Sequence, residues 1–155
     1  MNKSKIFFLV DDDADDHEFF KDALKEIDPA INCITSFDCE EALKKLSTWI
    51  GLKPDFIILD LNLPRMNGKK CLIELKKDIT LCKIPVVIYS TTSEKKIIDE
   101  MEALGAAYFI SKPNKLSLLC DSLKPLLSDD WSNKPFVVNV NDDSQLQSEH
   151  PGFSN

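Results

Sequence analysis

Apolar residues along the chain follow two alternating rhythms. Short runs rich in β-branched and aromatic residues occur at Ile6–Val10, Phe56–Leu59, Ile84–Tyr89 and Ala107–Ile110, with a more mixed stretch at Ile31–Phe37. Each is bounded by Asp, Asn, Ser, Gly or Pro, so each reads as a strand. Between them the apolar positions recur at helical spacing: Phe19, Phe20, Ala23, Leu24 and Ile27; then Ala42, Leu43, Leu46, Trp49 and Ile50; then Cys71, Leu72 and Leu75; then Ile97, Ile98, Met101 and Leu104. A last helix is predicted from about Lys115 to Leu127. Asp13 is placed to cap the first helix, which Asp28 and Pro29 end; Gly51 is placed as the C-terminal cap of the second. Gly68 leads into the third, Ser93 reads as the cap of the fourth, and Gly105 stops it. Strands alternating with helices in this way predict an α/β domain with a doubly wound parallel sheet.

The strand ends carry the chemistry. Ile6–Val10 runs into Asp11-Asp12-Asp13, and Phe56–Leu59 runs into Asp60, with Pro64 and Gly68 turning the chain before the next helix. Ser90 and Thr91 end the fourth strand, and Lys112-Pro113 follows the fifth. In open α/β sheets the carboxyl edge of the strands is where ligands bind. Like charges about 4 Å apart repel by about 1 kcal/mol in bulk water and about 4 kcal/mol at an effective dielectric near 20, so carboxylates gathered there call for a cation. Hard oxygen donors, completed by water and a backbone carbonyl, suit Mg²⁺. With Lys112 and Ser90 beside them, the groups match what phosphoryl transfer to a carboxylate needs: a nucleophilic oxygen, a metal and donors that clamp the phosphoryl oxygens.

Composition narrows the partners. The net charge of −7 argues against a nucleic-acid or anionic-membrane surface, because Lys is interleaved with Glu and Asp rather than clustered. The N-terminal apolar run is too short for a signal-peptide core or a membrane span, and a cytoplasmic location is expected. Cys33, Cys39, Cys71, Cys82 and Cys120 include no C-x-x-C pair and are odd in number, so they are expected to be reduced and mostly semi-buried. The chain length suits one domain with no room for a second effector domain. Beyond residue 128 the composition turns to Ser, Asn, Asp and Gln, which predicts a domain over 1–128 and a flexible tail over 129–155. Within that tail, Lys134–Val140 is an apolar island able to dock on the domain or on a partner.

The sequence resembles the receiver domains of bacterial two-component response regulators. The matching pieces are Val10-Asp11-Asp12, the run Leu59-Asp60-Leu61-Asn62-Leu63-Pro64-Arg65-Met66-Asn67-Gly68, Ile84-Pro85-Val86-Val87-Ile88-Tyr89-Ser90-Thr91 and Ser111-Lys112-Pro113. The resemblance implies a flavodoxin-like fold of five parallel strands in the order 2-1-3-4-5 with five helices. It implies phosphorylation of Asp60 by a sensor histidine kinase or a phosphotransfer protein, with Mg²⁺ held by Asp12, Asp60 and the backbone carbonyl of Asn62, and by Asp11 through water. Lys112 and Ser90 would bind the phosphoryl oxygens, and Ser90 and Phe109 would switch together. Many members carry Tyr at that second position, where this chain has Phe109, with Tyr108 one residue earlier. Asn62 and Thr92 occupy positions that tune hydrolysis of the acyl phosphate, and a cis peptide is implied at Pro113. Similar small receivers work beside phytochrome kinases, and some pair through the helix-four to helix-five face.

Several residues have plainer readings. Asp13, Asp15 and Asp16 read as cap and first-turn charges. His17, in an acidic helical stretch, reads as a solvated surface residue, and Trp49 and Trp131 as packing residues; His150 lies in the tail. Two other functions stay open. A haloacid-dehalogenase-like phosphatase also uses a strand-end Asp, Mg²⁺, Ser or Thr and Lys, but needs an Asp where this chain has Asn62. A phosphorylation-independent interaction module needs none of these groups.

Overall fold

The computed structural model describes residues 5–128 and 135–140. The strands are β1 (Ile6–Val10), β2 (Asn32–Ser36), β3 (Phe56–Leu59), β4 (Val86–Ser90), β5 (Tyr108–Ser111) and β6 (Val137–Val140). The helices are α1 (Ala14–Ile27), α2 (Cys39–Ser47), α3 (Gly68–Lys77), α4 (Lys95–Ala103) and α5 (Leu116–Ser128). All strands pair in parallel, in the order β2-β1-β3-β4-β5-β6, so the expected five-strand order is present with a sixth strand added at its edge. Every residue of β3, β4 and β5 is buried. Helices cover both sheet faces, so neither side of these strands can be polar, which is why they read as unbroken apolar runs. One layer packs Phe8, Val10, Ile57, Ile88 and Phe109 against α2, α3 and α4; the other packs Phe7, Leu9, Ile58, Tyr89 and Ile110 against α1 and α5. At the edge, β2 alternates between exposed and partly covered residues, which explains its mixed sequence.

The sixth strand comes from the apolar island. Tyr108 is in register with Val137 and Phe109 with Val138. Phe136 packs on the α4 side of the sheet and Val137 on the α5 side, the alternation a strand requires. Without β6, the outer N–H and C=O groups of β5 would be a bare edge; pairing them favours this docking. Residues 137–140 are therefore part of the sheet, whereas 129–134 and 141–155, with Trp131 and His150, lie outside the described residues.

Four local expectations are corrected. Helix α2 ends at Ser47 with Thr48 as its C-cap, and Gly51, with φ of 94°, serves the following turn instead of capping the helix. Ser93 does not cap α4: Glu94 precedes the helix without a side-chain cap, and its N–H donates to Thr92 Oγ1 at 3.2 Å. No peptide bond among the described residues is cis, so Pro113 is trans; X-Pro bonds take the trans form unless tertiary packing imposes the other. Finally, Cys39 and Cys71 form a disulfide, their Cα atoms 5.9 Å apart, while Cys33, Cys82 and Cys120 are free thiols. The partners are 32 residues apart, and only the stacking of α2 beside α3 on one sheet face brings them within bonding reach. Odd parity and the lack of C-x-x-C carry no information about such a long-range pair.

Candidate functional site

Parallel pairing in register makes the strand ends flush. Val10 lies opposite Leu59, Leu59 opposite Ile88, and Ser90 opposite Ser111, so the residues just beyond them share one rim. Asp11, Asp12 and Asp60 gather there, each with a carboxylate oxygen within 4.8 Å of the others. Asp11 is 0% exposed and Asp60 5%, while Asp12 faces solvent. Lys112 arrives from the end of β5 and donates to Asp11 Oδ2 at 2.9 Å, Asp60 Oδ2 at 3.3 Å and Asp16 Oδ2 at 2.7 Å. Its Nζ also lies 5.1 Å from the centroid of the buried Tyr89 ring, a favourable position for a cation.

Loop geometry fixes these groups. Asp11 Oδ1 accepts from the Asp13 N–H at 3.0 Å, and Asp13 in turn caps α1 through the Asp15 N–H at 2.8 Å. Asp60 Oδ1 accepts from the Asn62 N–H at 3.2 Å, which curls the chain after β3 and holds the Asn62 backbone beside the carboxylate. The loop then passes through Arg65, whose φ of 61° is unusual for a side chain of this size. Arg65 pairs with Asp38 at 2.6 Å and Glu40 at 3.1 Å, tying the loop to the start of α2. These pairs are exposed, so they contribute at most about 1 kcal/mol each.

The other expected residues take different places. Ser90 is buried at the end of β4, and its Oγ accepts from the Thr92 N–H at 3.2 Å rather than contacting the carboxylates. Phe109 is buried in the layer beneath α4, while Tyr108 faces the opposite layer and donates its hydroxyl to the Ser122 carbonyl at 3.1 Å. The phenol is thus engaged elsewhere and cannot stand in for a tyrosine at position 109. His17 is corrected: it is 4% exposed, its Nε2 is 2.7 Å from the Asp11 carbonyl oxygen, and its ring stacks on Phe37 with centroids 4.5 Å apart. It precedes the buried Phe20 and Leu24 by one and two turns, a spacing that marks it as inward-facing. Asp16 is a first-turn acid, as expected, but it also reaches the site.

Burial sets the electrostatics. Burial raises the Asp11 carboxyl to about 6, opposed by the Asp13 N–H and by Lys112 and aided by Asp60. Burial also raises Asp60, against the pull of Lys112. For Lys112, burial favours the neutral amine, but Asp16, Asp60 and Asp11 outweigh it and hold the ammonium above the ordinary lysine range. Asp11 faces Asp12, Asp16, Asp60, Lys112 and His17, and unfolded it titrates near 3.8. Between those values the folded chain binds a proton that the unfolded chain does not, so stability is lost as pH rises toward and through 6. Melting of the metal-free protein is expected to show a loss of roughly 1–2 kcal/mol between pH 5 and 7.5. Removing the carboxyl with Asp11→Asn should flatten that slope.

The donor set suits a hard divalent cation. Carboxylate oxygens in mutual reach, one of them open to solvent, leave room for the waters Mg²⁺ retains. Fold and site together define a doubly wound domain with an acidic, lysine-capped rim. The model of the response regulator receiver domain matches residues 7–124. The chain is 34% identical to the phosphorylated cyanobacterial phytochrome response regulator RcpA, with a TM-score of 0.71 over 80% of this chain and 91% of that one. It is 30% identical to the signal receiver domain of a signal transduction histidine kinase from Syntrophus aciditrophicus, with a TM-score of 0.67 over 81% and 91% of the two chains. Among curated relatives, it is 31% identical to the glycerol metabolism activator of Pseudomonas putida, over 91% of this chain and 65% of that protein. It is 36% identical to a protein-glutamate methylesterase/protein-glutamine glutaminase of Caldanaerobacter subterraneus subsp. tengcongensis, over 73% and 30%. The chain therefore spans less than two thirds of these curated relatives. The chain belongs to the response regulator receiver domain family. No helix among the described residues is long and apolar enough to cross a membrane.

Proposed function

We propose that the domain accepts a phosphoryl group on Asp60 from a sensor histidine kinase or a phosphotransfer protein and signals through a protein-binding surface. The observation that carries this reading is the cluster itself: Asp60 at the end of β3, within 4.8 Å of two further carboxylates and 3.3 Å from the Lys112 ammonium. An Asp60 oxygen attacks phosphorus and a P–O bond forms; the bond from phosphorus to the donor nitrogen breaks, and its electron pair stays on the imidazole. Asp12, Asp60, the Asn62 carbonyl and, through water, Asp11 would hold Mg²⁺, which when bound neutralises charge on the phosphoryl oxygens. Lys112 supplies a second positive charge at the same oxygens. Ser90 exchanges its bond from Thr92 for one donated to the phosphoryl group, and Phe109 repacks beneath α4.

The output surface is the face of α4 and α5, where β6 covers the edge of β5. A downstream protein or a second copy of the chain would read it there, in a cytoplasmic setting. Asp60 acts as an acceptor and not as the centre of a multiple-turnover phosphatase, because the place of a second acid is taken by Asn62.

Intact-mass measurement after incubation with acetyl phosphate and Mg²⁺ should show one added phosphoryl group. The adduct should be lost completely in Asp60→Asn and when Mg²⁺ is chelated. No adduct on the parent protein under donor excess, or an adduct that survives Asp60→Asn, would overturn the assignment. Continued release of phosphate over many turnovers would favour the phosphatase.

A further inference from the structure

Lys112 is closest not to Asp60 but to Asp16, at 2.7 Å against 3.3 Å, with Asp11 between them at 2.9 Å. An ammonium has three N–H donors and no acceptor, so these carboxylates use its whole donor set. A phosphoryl oxygen can reach the ammonium only by displacing one of them. Asp16 is not needed as a cap for α1, since Asp13 already fills that role. Its carboxylate reaches instead to a residue 96 positions away. It also stands outside the group of Asp11, Asp12 and Asp60 that a cation would neutralise, so its charge on the lysine persists when a divalent ion binds.

We propose that Asp16 is a positioning residue that draws the Lys112 ammonium away from Asp60, weakening the site's hold on a phosphoryl group while easing the ammonium's competition with a divalent cation for the carboxylates. The inference rests on the phosphoryl-acceptor reading and deepens it. With Asp16 neutral, the ammonium settles on Asp11 and Asp60, where it competes with the cation but meets an anion on Asp60 more closely. Cation and anion affinities therefore move in opposite directions, an outcome that loosened structure cannot produce.

The test is calorimetric titration of the full chain, first with Mg²⁺ and then with beryllofluoride at saturating Mg²⁺, in the parent, Asp16→Asn and Asp16→Glu. In Asp16→Asn the Kd for Mg²⁺ should rise and that for beryllofluoride should fall, each roughly fivefold for the loss of one nearby charge. Asp16→Glu, which keeps the charge, should bring both back toward the parent. If both affinities weaken, both strengthen or neither moves in Asp16→Asn, the positioning role is overturned. If the parent binds no beryllofluoride with Mg²⁺, the acceptor reading fails and this inference falls with it.

Discussion

Reduction of the Cys39–Cys71 bond is expected to lower the melting temperature by roughly 10 °C. The bond closes a loop of 32 residues, and the chain-entropy account gives roughly 3–4 kcal/mol for a loop of that length. A kcal/mol corresponds to about 3–5 °C in a domain of this size. Both cysteines are 0% exposed in the layer that packs α2 and α3 against β1 and β3, so a thiol reductant reaches them only when that layer opens. Reduction should therefore be slow under native conditions and complete after unfolding and refolding in reductant. In the reduced state both side chains still fit the core as small apolar groups, and the fold is retained. Scanning calorimetry of the oxidised and refolded reduced forms measures the difference. A double variant, Cys39→Ala with Cys71→Ala, should melt near the reduced form and ignore reductant. If the parent melts at the same temperature with and without the bond, the linkage contributes nothing to stability.

The same pair shows where the sequence stops being informative. Burial of β1, β3, β4 and β5 on both faces wrote itself into unbroken apolar runs, and the acids at the ends of those runs were visible because a strand has only one carboxyl end. Asp11, Asp12, Asp60 and Lys112 could be gathered on one rim by counting strands. What the sequence concealed were contacts set by helix placement: Cys39 with Cys71, and Asp16 with Lys112 across 96 residues. A cap-like acid at the start of α1 satisfies every local rule, so nothing local reveals that its carboxylate also reaches across the rim. His17 is different, because its spacing from Phe20 and Leu24 was a usable signal that the charged neighbours Asp15, Asp16 and Glu18 masked. The docking of β6 depended on a free edge that exists only once β5 is in place. Ser90 and Phe109 were located correctly on their strands, yet the bond from Thr92 and the occupied hydroxyl of Tyr108 are properties of packing.

Replacing Gly68 should destabilise the domain more than any other single added methyl group near the site. A Cβ built there would lie 2.3 Å from the Asp60 carbonyl oxygen and 2.5 Å from the Leu61 Cα, both backbone atoms that no rotamer change can move aside. The closeness has a cause: Gly68 opens α3 directly against the end of β3, and its N–H donates to the Leu61 carbonyl at 3.0 Å. Helix propensity alone would make Gly68→Ala favourable by about 1 kcal/mol. Overpacking against backbone costs about 3 kcal/mol here and decides the sign, leaving a net loss of about 2 kcal/mol, so the melting temperature should fall by roughly 6–10 °C. The displacement falls on the peptide that carries Asp60, whose carboxylate is held by the Asn62 N–H two residues on. Mg²⁺ affinity should therefore drop with stability, and Gly68→Val should lose more of both. Calorimetry of the two variants with and without Mg²⁺ measures the pair of effects; a Gly68→Ala protein as stable as the parent would mean that α3 can pull back from β3 at no cost, and that the rim is not held by the contact on which its geometry depends.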